Sequence, residues 1–355
     1  MADPLQPEAA LTLKSELIEL ARSLGFAHCR VAPAVTPPHA DAFHSWLEEG
    51  RAGEMGWLER NRERRTDPQL VLPGAQSVIV LAMNYWQGDK APGPASSEPG
   101  DRIARYAWND DYHELIEPKL RQIDGFLNRH GGSQRCYTDT GPILERDFAA
   151  LAGMGWHGKS TMLISPDLGT WFFLAEVLTT VTLPADPPMA DRCGRCTRCI
   201  DACPTGAIAA PHQLDSRRCI SYLTIELKGS IPEALRPLIG DRIYGCDDCL
   251  EACPWNRFAQ VGHEAAFSPR PAVELGLREY LALDDEQFRV LFRRSPIKRI
   301  KRRGFLRNVC VALGNVGTPD DLLALEQAAN DPEPLIAEHA RWAFGEIRRR
   351  WGSSI

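Results

Sequence analysis

The sequence predicts a mixed α+β chain in three parts: an N-terminal α/β region, a ferredoxin-like two-cluster module and a helical C-terminal end. Three observations predict it. Eight of the eleven cysteines fall between residues 193 and 253, at a spacing suited to iron–sulfur clusters. Up to about residue 182, helix-period and strand-like runs alternate. Beyond about residue 263 only helical periodicity remains, interrupted by turns of repeat-protein character.

The elements follow in order. Leu11, Leu13, Leu17, Ile18, Leu20, Ala21 and Leu24 recur at helical spacing over 11–25 and stop at Gly25. Residues 77–84 form a short β-branched run typical of a buried strand. Pro, Gly, Ser and acidic residues over 89–101 predict an exposed loop. A helix over 112–130, a strand over 134–138, a helix over 143–154 and strands over 161–165 and 171–178 complete the first part. Leu183-Pro184-Ala185-Asp186-Pro187-Pro188 reads as a linker, which divides the chain into 1–182, 183–262 and 263–355. Helices are expected over 304–316, 319–329 and 335–349. Between them, Gly314-Asn315-Val316-Gly317 with Pro319-Asp320, and Asn330-Asp331-Pro332, look like turns of a HEAT-like repeat.

Cys193-x2-Cys196-x2-Cys199-x3-Cys203-Pro204 is the run of a bacterial two-cluster ferredoxin. In such a run three cysteines grip one cubane and the fourth crosses to the other. Cys246-x2-Cys249-x3-Cys253-Pro254 supplies the last three positions of a second run, but Ile243 stands where its first cysteine belongs. The nearest spare thiol is Cys219. The expected ligand sets are therefore Cys193, Cys196, Cys199 and Cys253 for one 4Fe-4S cluster, and Cys203, Cys219, Cys246 and Cys249 for the other. Structural zinc is the alternative for paired CxxC runs. Zinc, however, requires neither this order nor the trailing prolines. Cys29, Cys136 and Cys310 remain as buried free thiols.

No stretch approaches 18 uninterrupted apolar residues, so no membrane partner is expected. Met1-Ala2-Asp3-Pro4-Leu5 lacks the start of an export signal, which makes a cytoplasmic location the expectation. A net charge of −6 argues against nucleic acid, yet Arg293, Arg294, Lys298, Arg299, Lys301, Arg302, Arg303 and Arg307 crowd fifteen residues. Such a run marks either an anionic partner or a solvated helix end. No GxGxxG or GxxxxGK[ST] signature occurs before the linker. The best acid there is Asp139, in Tyr137-Thr138-Asp139-Thr140-Gly141-Pro142. It is either a catalytic loop acid or a turn-forming aspartate.

Several segments together resemble the epoxyqueuosine reductases, enzymes that complete queuosine in tRNA. They are Arg65-Thr66-Asp67-Pro68 with Leu72-Pro73-Gly74-Ala75, Ile103-Ala104-Arg105-Tyr106 with Asp111-Tyr112-His113, the Asp139 turn, and Gly155-Trp156-His157-Gly158-Lys159. Arg218-Cys219-Ile220-Ser221-Tyr222-Leu223-Thr224 and Tyr244-Gly245-Cys246-Asp247-Asp248-Cys249 complete the set, and the displaced Cys219 is its most specific mark. The resemblance spans roughly 10–350 and implies an enzyme related to reductive dehalogenases. It implies an N-terminal domain that binds base-off cobalamin, two 4Fe-4S clusters that feed it, and HEAT-like helices that hold tRNA. By that resemblance Asp139 is the proton donor. Arg65, Asp139, Gly158, Lys159, Ser160, Leu163, Ser165 and Ser221 meet the cobalamin, while Arg146, Lys298, Arg299, Lys301 and Arg302 meet the tRNA. Two positions depart from the family. Ser160 stands where many members have Asn, and Ala104 where some have a cysteine.

The implied reaction removes an epoxide oxygen as water, using two electrons from an external low-potential donor and two protons. Both attack of cobalt on carbon and electron transfer without a bond are compatible with these residues. Two rival functions use parts of the same sequence: a cobalamin-dependent dehalogenase acting on a small molecule, and a ferredoxin-like electron carrier.

Overall fold

Ser77–Asn84 is an unbroken run of apolar and β-branched residues flanked by two polar ones, and its strand is buried along nearly its whole length. A strand covered on both faces has this composition. It lies second in a four-stranded sheet, between His28–Pro33 and Phe172–Thr179, with Gln134–Tyr137 beyond the latter. Every pairing is antiparallel. The alternation of helices and strands predicted an α/β arrangement, but periodicity carries no information on strand direction. The result is an α+β sheet without parallel crossovers. The computed structural model describes residues 6–88 and 102–352; the loop expected over 89–101 lies outside the described residues.

Side chains alternate across the central strand. Ile79 and Leu81 meet helix Pro7–Ser23 through Leu13 and Leu17, and helix Tyr112–Asn128 through Ile116, Leu120 and Ile123. Val78 and Val80 meet the short helix Glu145–Leu151 through Phe148 and Ala149. Asp111 caps Tyr112–Asn128 by accepting from the His113 backbone N–H at 3.1 Å, the usual role of an N-cap carboxylate. The strand expected over 161–165 shortens to Leu163–Ile164, the second arm of a hairpin with Trp156–His157. The edge strand His28–Pro33 and helix Ala40–Glu48 were not predicted.

The C-terminal helices Lys301–Val316, Leu322–Ala328 and Pro334–Trp351 pack through Phe305, Val309, Leu325, Ala340, Ala343 and Ile347. Gly314 permits their close approach, because a Cβ there would stand 2.4 Å from the Trp342 ring. The same hydrophobic cluster includes Ile103, Trp108, Ile243 and Tyr244. The core thus crosses both sequence boundaries, and Ile103 and Tyr244 also form a parallel β-bridge.

Helix Lys301–Val316 also clamps the cysteine module. Arg307, 1% exposed, donates to the carbonyls of Leu223, Leu227 and Gly229. Asn308 donates to Thr224 and Ile243. These bonds hold the π-turn Tyr222–Glu226, just after Cys219. Single π-turns of this kind often mark functional sites.

Candidate active site

A cavity of about 460 Å³ opens between the sheet, the Trp156–Ile164 hairpin and the cysteine module. Asp139 and Glu145 line it together with Cys203, Cys219, Cys246 and Cys249. Leu163, Phe172 and Phe173 make much of its remaining wall apolar. This volume lies within the usual range for cofactor and ligand sites.

The thiols divide by neighbourhood. Burial, with the neighbouring Cys193, Cys199 and Cys196 adding to it, raises Cys253 to about 11. Burial also raises Cys249, followed by the charges of Cys219, Asp247 and Cys203. Thiols packed so that each disfavours its neighbours' ionisation suit a cationic centre that takes them as thiolates.

Asp139 follows strand Gln134–Tyr137 in a left-handed conformation, φ 56°. Its backbone N–H donates to Glu145 Oε1 at 2.8 Å, and the Tyr112 hydroxyl donates to its Oδ2 at 2.7 Å. Burial, then the Asp139 charge, keeps the Tyr112 proton in place. Glu145 is pushed up to about 7 by burial and by Asp139. Glu176, fully buried on strand Phe172–Thr179, is raised by burial and by Glu145.

On the far side of the same short helix, Asp147 behaves in the opposite way. His39 Nδ1 lies 2.7 Å and His157 Nε2 2.8 Å from Asp147 Oδ1. Burial would raise this carboxyl, but the hydrogen bonds from His157 and His39 hold it well below the usual range. The three side chains form one tight polar cluster. It pins the hairpin that carries Ser160 and Leu163 to the cavity.

Four of the residues expected to meet a cofactor line the cavity: Asp139, Ser160, Leu163 and Ser221. Four do not. Lys159 donates to the carbonyls of Gly194 and Cys196 and braces the first cysteine loop. Ser165 donates to Asp167, and the Gly158 N–H closes the hairpin on Met162. Arg65 donates to the Ile143 carbonyl and lies over the Trp57 ring. Arg146 lines the cavity and donates to the Thr161 carbonyl.

The basic run is only partly a surface. Arg302 is ion-paired with Asp331 and donates to the Leu283 carbonyl, Arg299 pairs with Glu226, and Arg307 is interior. Lys298, Arg299 and Lys301 are exposed. Glu145, Glu176 and Tyr112 were not among the expected site residues. The available signal was Glu176 itself, a lone charge in Phe-Phe-Leu-Ala-Glu-Val-Leu-Thr.

A two-cluster cysteine module opening onto an acid-lined cavity defines an electron-transferring reductase. Residues 192–256 match the 4Fe-4S double cluster binding domain family, and residues 65–140 match the family described as epoxyqueuosine reductase QueG, DUF1730. The chain is 41% identical to the epoxyqueuosine reductase of Xanthomonas campestris pv. campestris over 352 residues, 98% of each chain. A crystal structure of an epoxyqueuosine reductase with a tRNA-Tyr epoxyqueuosine-modified stem loop is similar at TM-score 0.88 and 33% identity, covering 96% of this chain and 92% of that one. A Bacillus subtilis epoxyqueuosine reductase whose catalytic aspartate loop is swung out of the active site is similar at TM-score 0.83 and 32% identity, covering 95% and 90%. The chain belongs to the epoxyqueuosine reductase family and is an oxidoreductase of queuosine synthesis in tRNA. Among the described residues no helix is long and apolar enough to cross a membrane.

Proposed function

We propose that the chain reduces epoxyqueuosine to queuosine at the wobble position of a tRNA anticodon, with a base-off cobalamin held in the cavity. One observation carries this reading: a single cavity is lined both by an acid, Asp139, and by four cysteines of the cluster module. The apolar walls suit the flat faces of a corrin ring, and the Ser160 and Ser221 hydroxyls suit the amide groups at its rim. When bound, cobalamin supplies low-potential electron chemistry that no side chain offers.

The protein's own residues do the rest. Cys193, Cys196, Cys199 and Cys253 hold the outer 4Fe-4S cluster, and Cys203, Cys219, Cys246 and Cys249 the one beside the cavity. An external low-potential donor feeds the outer cluster. Loss of the epoxide oxygen as water, with formation of an alkene, takes two electrons and two protons. Asp139 gives one proton to the oxygen as its bond to carbon opens, which a general acid does from hydrogen-bond reach. The Tyr112 hydroxyl already occupies Oδ2, which leaves Oδ1 to carry that proton. The aspartate loop of the Bacillus subtilis relative supports this role.

The stem-loop complex of the similar structure supports a tRNA substrate, and an anticodon base reaches an enclosed pocket only when splayed from its stack. In this reading residues 1–182, 183–262 and 263–355 are the cobalamin, cluster and tRNA-contacting parts, and the last is a HEAT-like repeat. Lys298, Arg299 and Lys301 meet phosphates, Arg146 the base entering the cavity, and Arg302, tied to Asp331, serves mainly the fold. The test is purified protein with reduced donor, cobalamin and an epoxyqueuosine stem loop, read by nucleoside mass spectrometry and by iron content. Conversion is expected, and Cys219→Ala should lose about one cluster of iron and all turnover. Full iron in that variant would overturn the ligand assignment.

A further inference from the structure

We infer that Glu145 and Glu176 form a one-proton acid pair that latches the Asp139 turn against the cavity. The inference rests on the reading of Asp139 as proton donor and adds what holds it there. A non-glycine residue at φ 56° is strained and keeps that conformation only where its surroundings impose it. Neighbouring contacts set the turn in part. Thr138 Oγ1 donates to the Leu174 carbonyl at 3.0 Å, and Gly141 lies so close to the Tyr137 ring that a Cβ would stand 2.4 Å from it. The Asp139 amide itself is held by Glu145.

Glu145 is held in turn by Glu176. Strand register sets Glu176 directly opposite Tyr137, two residues before Asp139. Its side chain shares a face with Leu174 and Leu178, in an apolar layer with Val78 and Val80. It is fully buried, and neither carboxylate oxygen has a donor among the described residues. A carboxylate in that position is stable only with a proton. The group that acts on that carboxyl after burial is Glu145, whose charge and side chain raise Glu176 further. Two facing carboxyls share one proton for the reason two like charges in one site do not both ionise. Glu145 thereby keeps a carboxylate oxygen for the Asp139 N–H. Asp139 and Arg146 act on Glu145, and Arg65 lies near both Glu145 and Asp139. No proton leaves the pair during turnover, so both glutamates are positioning residues.

The test is hydrogen exchange of the Asp139 amide, with single-turnover reduction measured on the same cluster-loaded protein. Glu145→Ala should lose about tenfold in protection and a similar factor in rate, the scale of one hydrogen bond to a charged group. Glu145→Gln, which keeps an acceptor, should recover most of both. In the parent protein, protection should fall as pH rises and the shared proton is lost, whereas Glu176→Gln should remain protected there. Wild-type protection in Glu145→Ala, or equal losses in its Ala and Gln variants, would overturn the latch. If Asp139→Ala turns over normally while Glu145→Ala loses protection, the latch stands and the proton-donor reading fails.

Discussion

Helix Glu145–Leu151 carries a buried acid site on each of two sides, and the two are treated in opposite ways. Toward the hairpin, Asp147 is saturated by His39 and His157 and is held ionised. Toward the cavity, Glu145 and Glu176 face each other without a cation between them and are pushed toward the protonated state. Burial raises the carboxyls on both sides, and the partners decide the charge. A saturated carboxylate is structural: it ties His39, the helix and the hairpin into one frame. An under-satisfied pair retains a proton and a hydrogen-bond acceptor close to the residue assigned the chemistry.

The comparison can be broken most forcefully at Asp147. Asp147→Asn should cost about 2 kcal/mol, because it weakens two bonds in a buried site and leaves His157 poorly partnered. The folded carboxyl lies below its unfolded value, so the contribution of Asp147 is present above the ordinary carboxyl range and is lost as pH falls below it. Melting temperature followed from pH 7 into acid should show the two proteins converging. Parallel curves would mean that the ion cluster contributes nothing.

A smaller effect of opposite sign sharpens the other side. Glu145 and Glu176 are both raised, so their contribution is fullest below the unfolded glutamate value near 4.3; that of Glu145 is lost as pH rises through about 7, and that of Glu176 as pH rises through its own raised value. Glu176→Gln removes one of the two charges that would otherwise be buried together. It should melt a few degrees above the parent at pH 9 and close to it at pH 5. A constant difference across that range would show that the glutamates do not share a proton.

The smallest expected effect concerns the surface. Lys298→Glu and Lys301→Glu should each flatten the log–log salt dependence of tRNA binding by about 0.7–0.9 per phosphate contact. Arg302→Glu should instead lower stability, through Asp331.

How legible all this was in the sequence depended on whether the chemistry is local. The cysteine spacing is local and marked the cluster module before any fold was known, including the gap at Ile243. The strand Ser77–Asn84 announced itself by an unbroken apolar run, whereas His28–Pro33, short and mixed at the sheet edge, did not. Glu176 was visible as a charge in an apolar strand, but Glu145 meets it only through the packing of helix on sheet. Lys159 stood in a recognisable glycine-rich segment, yet its target is the cysteine loop 35 residues on. The basic run looked uniform, because sequence does not show that Arg307 and Arg302 turn inward.

The central claim is that the cavity brings a proton donor to the electrons delivered by the clusters. The most direct test is single-turnover reduction of an epoxyqueuosine stem loop by Asp139→Ala, with iron, cobalamin and stem-loop affinity measured on the same preparation. Those three should be retained while the rate falls at least about 10²-fold, the scale of a lost general acid. A rate near that of the parent protein would contradict the account and leave Asp139 a turn-forming residue.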